Sequence, residues 1–447
     1  MGVRTRGSAA KKAKSIGTRA NAAPRLRQLQ VGREEVDRTF VYLRQLPRAN
    51  GIERKRMANV KKTITVIGAG PAGLVAAINL AKAGFTVTLH ESAPSVGHRF
   101  HGDFQGIENW TTGDGVQNFL GRIGVEINFR FEPYRGGIFL SPTLERREIR
   151  TREPLFYLVE RGGKEGSLDF GLLQQAQAAG VKVDLNARSW TVDEEGVIAV
   201  GPRAADVIAK GVLFNTDAQD EAYAMVDDRI APKGYAYLLI NRGKATLATV
   251  IYQDFRNEKT YFQRALNSFQ KIVPLAMRNV REFGGYGNFF LRPSAVDGKK
   301  IYLGESAGFQ DALFGFGMRY AMTSGFLAAQ SIIHGSSYDE LWKETLLPLL
   351  RVSASNRMIY EFLGNRGYQF VFKRIATRAD LRDALGRQYN PSWWKVPLFP
   401  LALLLGNLLK RMRVEDKSCH HEDCRCVWCV HIQHEPLNAV QLEGGEG

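Results

Sequence analysis

The stretch that most limits what this chain can fold into lies at residues 63–91. Thr63 to Ile67 is a β-branched run suited to a buried parallel strand. Gly68-Ala69-Gly70-Pro71-Ala72-Gly73 follows at once. An amphipathic stretch from Leu74 to Ala83 is then stopped by Gly84, and Phe85 to Leu89 reads as a second strand with Glu91 just past its end. This is G-x-G-x-x-G in the strand–turn–helix setting that a dinucleotide fingerprint requires. Gly68 permits the tight turn, Gly70 lets the backbone approach a pyrophosphate, and Gly73 lets helix and strand pack closely. Pro71 and Ala72 complete the loop at the helix start, where free N–H groups and the helix dipole favour an anion. Glu91, 18 residues after Gly73, is placed to accept hydrogen bonds from ribose hydroxyls. An acid there opposes a 2′-phosphate, so the expected nucleotide is the adenosine of FAD or NAD, not of NADP.

Composition sets the class around this motif. The chain has 447 residues, 44% of them hydrophobic, enough for a large core and for two to three domains of about 150 residues. No run of about 18 apolar residues predicts a spanning helix, and no apolar stretch opens the chain as a secretory signal would. The net charge of +16 suggests nucleic acid, but +11 of it lies in residues 1–56, which hold 15 Lys+Arg against 4 Asp+Glu. The remaining +5 gives no notable affinity for a polyanion, and no nucleic-acid partner is expected. The leader lacks hydrophobic periodicity. Met57, a few polar residues before the first strand, is the expected native start. A basic tail touching lipid or nucleic acid, and a targeting peptide, are the other readings.

A second motif separates FAD from NAD. Ile301 to Leu303 reads as a strand, followed by a Gly-rich turn and a long helix from about Gly317. Together the two motifs resemble the flavoproteins of the geranylgeranyl reductase group, kin to the aromatic-ring flavin monooxygenases. The resemblance covers roughly residues 63–333. That family carries G-D-x-A-G-x-x-x-P-x-x-G-x-G at this point. By this resemblance Gly304 and Gly308 shape the turn, and Glu305 stands where the family's Asp meets the ribityl chain. Asp311 matches a family acid, Ala312 replaces a Pro, and Gly315 and Gly317 match glycines beside the isoalloxazine. The N–H groups of Gly317 and Met318, at a helix start, could stabilise negative charge on reduced flavin. Leu168-Asp169-Phe170 resembles a family segment with Phe and Asp exchanged. Arg99 lies where related flavoproteins place a basic group, as a phosphate contact.

The same resemblance bears on the substrate half. The family's P-x-x-Y-x-W-x-F-P stretch, which lines a lipid-shaped cavity, has its counterpart at Pro232 to Ile240. Tyr235 matches, Tyr237 replaces Trp, and Leu239-Ile240 replaces Phe-Pro. Alternation continues from Ala245 to Tyr252, with Asn241-Arg242-Gly243 as a hairpin turn. Tyr235 and Tyr237 either wall an apolar pocket or fill the sheet core. An A-D-G segment common in nicotinamide-dependent members appears as Asn215-Thr216-Asp217-Ala218, without its glycine. NAD(P)H as donor is therefore uncertain, and a protein electron donor is the other source.

Near the C-terminus, Trp393 to Leu409 is a short apolar stretch followed by Lys410, Arg411 and Arg413. It suits either an interfacial helix on anionic lipid or a buried helix. All four cysteines, Cys419, Cys424, Cys426 and Cys429, fall within 11 residues. In a reducing compartment this clustering points to a metal, either a [4Fe–4S] cluster or tetrahedral zinc.

The expected architecture is an α/β fold: a split FAD-binding Rossmann domain with an inserted mixed β-sheet substrate domain and a helical C-terminal region. The expected segments are a leader over 1–56, FAD-binding parts at 57–160 and 296–335, and an FAD-contacting and substrate segment at 161–295. A helical region over 336–413 and a metal-binding tail over 414–447 follow. The expected activity is reduction of a hydrophobic, lipid- or isoprenoid-like substrate, in the cytoplasm or at a membrane surface. The alternatives are a membrane-surface electron-transfer flavoprotein using a tail iron–sulfur cluster, and a flavin monooxygenase.

Overall fold

The computed structural model describes residues 62–405, except 112–114, 190–194, 203–204, 376–379 and 393. The leader, the basic end of the apolar stretch and the four cysteines lie outside these residues. In chain order the elements begin with β1 (Thr63–Ile67), α1 (Pro71–Lys82), β2 (Thr86–His90), β3 (Phe104–Glu108) and α2 (Gly115–Arg122). Then come β4 (Glu132–Tyr134), β5 (Gly136–Leu140), β6 (Arg146–Arg150), β7 (Phe156–Glu160), α3 (Leu168–Ala178), β8 (Lys182–Asp184) and β9 (Gly196–Ile198). β10 (Val207–Asn215), β11 (Glu221–Met225), β12 (Tyr235–Asn241), β13 (Lys244–Ile251), α4 (Glu258–Gln270) and β14 (Arg278–Gly287) form the next stretch. The chain continues with β15 (Val296–Asp297), β16 (Lys300–Tyr302), α5 (Met318–His334), α6 (Tyr338–Thr345), α7 (Leu347–Ile375), α8 (Leu381–Tyr389) and α9 (Phe399–Leu405).

One sheet runs β15-β16-β9-β1-β2-β8 and is parallel apart from its β15 edge. Parallel strands are buried on both faces, which is why Ile64, Val66, Val87, Leu89 and Val197 are all buried. Helix α1 joins β1 to β2 and is pressed in from two sides. A Cβ on Gly73 would lie 2.0 Å from the Gly68 carbonyl oxygen, and one on Gly325 of α5 would lie 2.2 Å from that of Ala72. Helices α1 and α5 therefore meet backbone to backbone. Leu74, Ile78, Leu80, Phe326 and Leu327 close the core around them, each stabilising by roughly 1.5–3 kcal/mol.

The second sheet runs β14-β10-β13-β12-β11-β5-β6 and is antiparallel except between β11 and β5. Its last two strands, β5 and the edge strand β6, come from residues 136–150, far ahead in the chain of the strands that they join. Strand pairing over such distances leaves no local mark on the sequence. The β12–β13 turn places Arg242 and Gly243 at φ +49° and +74°, the left-handed pair a two-residue hairpin needs. Alternation then sorts the side chains. Ala236, Leu238 and Ile240 share a core with Phe262, Ala265 and Phe269 of α4, while Tyr235, Tyr237 and Leu239 take the opposite face. A third sheet, β3-β7-β4, is tied to the second by the Phe104 N–H donating to Thr246 Oγ1 at 2.8 Å.

The C-terminal helices fold back over both parts. Arg357 of α7 is buried, donates from Nη1 to the Leu313 carbonyl at 3.1 Å, pairs with Glu361 at 3.0 Å and stacks 3.8 Å above the Tyr252 ring. Tyr360 donates to the Gly234 carbonyl at 2.8 Å. Helix α7 breaks direction at Gly364, where φ +55° and ψ −173° suit glycine alone. Pro400, in the first turn of α9, is compatible with the helix because no intrahelical acceptor awaits its missing N–H. No helix among the described residues is long and apolar enough to cross a membrane.

Replacing Gly325 by Ala forces α1 and α5 apart. Urea unfolding should show a loss of about 2–3 kcal/mol with an unchanged m-value.

Candidate functional site

The fingerprint loop closes around Glu91. Its Oε2 accepts from the Ala69 N–H at 2.8 Å and its Oε1 from the Ala93 N–H at 2.9 Å. Oε1 also accepts from the Ser92 hydroxyl at 3.3 Å, so Oε2 is the oxygen that keeps a lone pair for a hydroxyl donor. Gly68 sits at φ +100°, and a Cβ there would lie 2.3 Å from the Ala199 oxygen. At Gly70, by contrast, nothing lies within 4 Å of an added Cβ: this is where the loop opens toward a ligand. Pro71 starts α1, and no side chain caps the helix at Gly70.

The second motif lies across the cavity. Gly304 at φ +53° opens the turn that carries Glu305, and Glu305 Oε2 meets Arg99 Nη2 at 3.3 Å. Two residues singled out separately, 206 positions apart, are thus in contact. Gly315 lies at φ +79°, and Gly317 and Met318 begin α5. Asp311 is fully buried. It accepts from the Phe314 N–H at 2.8 Å, the Leu313 N–H at 3.2 Å and the Ser353 hydroxyl, while burial raises its carboxyl pKa. It is therefore a brace for the 311–317 loop, tying it to α7.

A buried ion pair that sequence reasoning missed supports the Arg99 segment. Arg161 Nε and Nη2 reach Asp169 Oδ2 and Oδ1 at 2.8 and 2.9 Å, a bidentate pair inside the protein. Asp169 also accepts from the Gly162 N–H at 2.9 Å, and Arg161 lies 4.0 Å over the Phe100 ring. Gly97 packs so tightly that an added Cβ would lie 2.8 Å from the Asp169 Cγ. The family-like segment at 168–170 held the signal; its partner Arg161 had none.

One cavity of about 1550 Å³ joins these parts. Gly68, Gly70, Pro71, Ala72, Glu91, Arg99, Gly304, Glu305, Gly315, Gly317 and Met318 all line it, as do Tyr235 and Tyr237. Tyr235 donates to the Phe314 carbonyl at 2.8 Å, so its ring walls the cavity while its hydroxyl holds the 311–317 loop. Burial raises the pKa of both phenols, keeping them neutral. Apolar lining comes from Ile138, Leu239, Val250, Phe316, Leu363 and Phe372, and the second sheet also contributes Arg147, Lys210 and Glu282. Helices α7 and α8 supply part of this wall, with Tyr360, Tyr368, Leu385 and Tyr389. The sequence reading treated these helices only as a C-terminal region.

Asp217 is elsewhere, pairing with Arg278 at 2.6 Å on the surface. Among the described residues no group of three or more His, Cys, Asp or Glu could hold a metal, and the four cysteines lie outside them. Behind the cavity, Glu108 is buried, with Oε2 unpaired and Oε1 accepting from Thr111. Burial, opposed by Arg319, pushes its pKa to about 7.

Two outcomes test this geometry. Asp169→Ala leaves Arg161 buried and unpaired, and should cost about 3–5 kcal/mol in urea unfolding, with Asp169→Asn losing less. Glu108 binds its proton more tightly folded than unfolded, so its contribution is complete below pH 4.5 and lost as pH rises through about 7. Glu108→Gln should therefore match the parent at pH 4 and exceed it by about 2–3 kcal/mol at pH 8, read from paired unfolding curves.

A family model for NAD(P)-binding Rossmann-like domains matches residues 66–122. Thiamine thiazole synthase of Pyrococcus horikoshii is 29% identical over 92 residues, 21% of this chain and 35% of that protein. Zeta-carotene desaturase of Synechocystis is 29% identical over 119 residues, 27% of this chain and 22% of that protein. These matches span about a third or less of the curated relatives. A geranylgeranyl bacteriochlorophyll reductase-like protein from Thermoplasma acidophilum superposes with a TM-score of 0.59 at 15% identity, covering 77% of this chain and 98% of that one. That likeness extends well beyond the fingerprint. The chain has the mixed α/β fold, with a Rossmann-like nucleotide-binding part, that this neighbour shares.

Proposed function

We propose that this protein is an FAD-dependent oxidoreductase that reduces a hydrophobic, lipid- or isoprenoid-like substrate. The observation that carries the reading is the single cavity that the glycines and acids of both motifs line together with many apolar and aromatic side chains. At about 1550 Å³ it exceeds the roughly 300–1,000 Å³ of an ordinary ligand pocket, leaving room for a cofactor and a substrate together. The residues present fit FAD. Gly70 is open where a pyrophosphate must approach, Glu91 Oε2 retains a lone pair for a ribose hydroxyl, and the Arg99–Glu305 pair flanks the path between the two motifs. Glu305 is the candidate for the ribityl chain, and the start of α5 at Gly317 and Met318 for the flavin ring edge. When bound, the flavin supplies a hydride for transfer to carbon. The protein's own part is positioning and exclusion of water: Tyr235 and Tyr237 wall the chamber, and α7 and α8 cover it. The names of two similar proteins, a geranylgeranyl reductase-like protein and a carotene desaturase, both refer to isoprenoid chemistry and support the substrate class.

A second reading rests on the four cysteines from Cys419 to Cys429. Holding zinc or a [4Fe–4S] cluster, they would make the tail a structural or electron-carrying unit. The missing glycine at 215–218 favours a protein donor of electrons over NAD(P)H.

The deciding experiment is an anaerobic visible spectrum of the purified chain with metal analysis, followed by reduction and addition of a polyprenyl substrate. The expected result is a flavin spectrum, reoxidation by the substrate, and a product heavier by two hydrogens. A chain without flavin overturns the reading. Reoxidation by oxygen alone, with a hydroxylated product, replaces it with a monooxygenase. A thiolate–iron band with no substrate turnover replaces it with electron transfer.

A further inference from the structure

Leu144 is a leucine in the wrong conformation for its residue type and in the wrong place for its chemistry. It sits at φ +61°, a left-handed geometry costing about 1–2 kcal/mol, and is 41% exposed. The turn around it is well held. Ser141 Oγ accepts from the N–H groups of Thr143 and Glu145 at 3.2 and 3.1 Å, and the Leu144 N–H donates to the Ser141 carbonyl at 2.9 Å. Strain of this kind persists where the surroundings impose it and marks candidate functional positions.

What stands beside Leu144 gives it a purpose. Gln369, on the half of α7 beyond the Gly364 break, accepts from Thr143 Oγ1 at 3.2 Å and donates to Glu145 Oε2 at 3.1 Å. These bonds clamp the Leu144 turn to the neighbours of Phe370, which is 65% exposed, and Val371, 37% exposed. At 3.6 residues per turn, Arg366, Phe370, Lys373 and Arg374 form one outward stripe, all exposed, while Tyr368 and Phe372 point the other way, buried against the cavity. Phe370 and Val371 also line the cavity, so the exposed apolar surface continues into the chamber. Arg146, at the start of edge strand β6, adds another exposed cation. The acids close by are engaged: Glu145 with Arg147 at 2.6 Å and Glu148 with Arg150 at 3.1 Å.

We propose that this rim is a membrane-docking surface: Leu144, Phe370 and Val371 enter the interfacial layer of an anionic bilayer, and Arg146, Arg366, Lys373 and Arg374 meet its phosphates. An apolar stripe bordered by cations is the pattern that fits such a surface. The inference rests on the reading of the cavity as a chamber for an apolar substrate, which would then pass from lipid to chamber along Phe370 without crossing water.

The test is co-sedimentation of the full-length protein with vesicles of phosphatidylcholine, alone or mixed with phosphatidylglycerol. Binding should favour the anionic vesicles and weaken as salt is raised. The Leu144→Ser/Phe370→Ser variant and the Arg366→Gln/Lys373→Gln variant should each lose about tenfold or more in vesicle affinity, with flavin content and thermal midpoint retained as evidence of folding. Four results overturn the proposal. The parent fails to sediment with anionic vesicles; both variants bind as the parent does; binding falls instead with Leu403→Ser/Leu404→Ser in α9; or the apolar variant abolishes a concentration-dependent dimer, which assigns the face to a second copy of the chain. Vesicle binding requires no turnover, so a chain that docks through this rim but reduces nothing refutes only the catalytic reading.

Discussion

The backbone approach between α1 and α5 is the constraint on which the rest of the molecule depends. At Gly73 and Gly325 an added Cβ would overlap a carbonyl oxygen, so no side chain separates helix from turn or helix from helix. That closeness brings two helix starts, at Pro71 and Met318, to the same cavity although they are nearly 250 residues apart. Both present free N–H groups and a positive dipole end, which is the electrostatic condition for holding an anionic cofactor.

Around that junction the buried polar groups act as braces. Asp311 ties its own loop to Ser353, Arg357 ties the same loop to α7, and the Arg161–Asp169 pair fixes the segment that presents Arg99. Each satisfies partners that burial would otherwise leave unpaired, which is how a charged scaffold survives in a low-dielectric interior. Glu108 and Asp206 are exceptions, each with one oxygen unpaired and a pKa raised by burial. The consequence is one cavity lined together by the glycines and acids of both motifs, by aromatic rings and by apolar side chains.

Legibility in the sequence followed distance along the chain. The fingerprint from Gly68 to Gly73 with Glu91 was readable because all its parts lie within about one supersecondary unit, and local periodicity reports such a unit directly. The β12–β13 hairpin was readable for the same reason. The Arg161–Asp169 pair was half readable: Asp169 stood in a family-like segment, but nothing near Arg161 announced it. The contribution of α7 and α8 to the cavity was not readable, because Tyr360, Leu363 and Tyr389 look like ordinary core residues of amphipathic helices until their partners are known.

By itself the sequence determined the nucleotide-binding unit, the preference for FAD over NADP suggested by Glu91 and the second motif, and the alternation of the β12–β13 hairpin, while which of its faces meets the cavity was left to the fold. Backbone geometry and period-two patterning are local properties, and local order is enough to specify them. The tertiary structure alone decided that Arg99 meets Glu305, that the Leu144 turn bonds to Gln369 of α7, and that one cavity is lined by both motifs. Those juxtapositions depend on strand order and on a break in a helix at Gly364. Both come from packing over hundreds of residues, which no short window of sequence encodes.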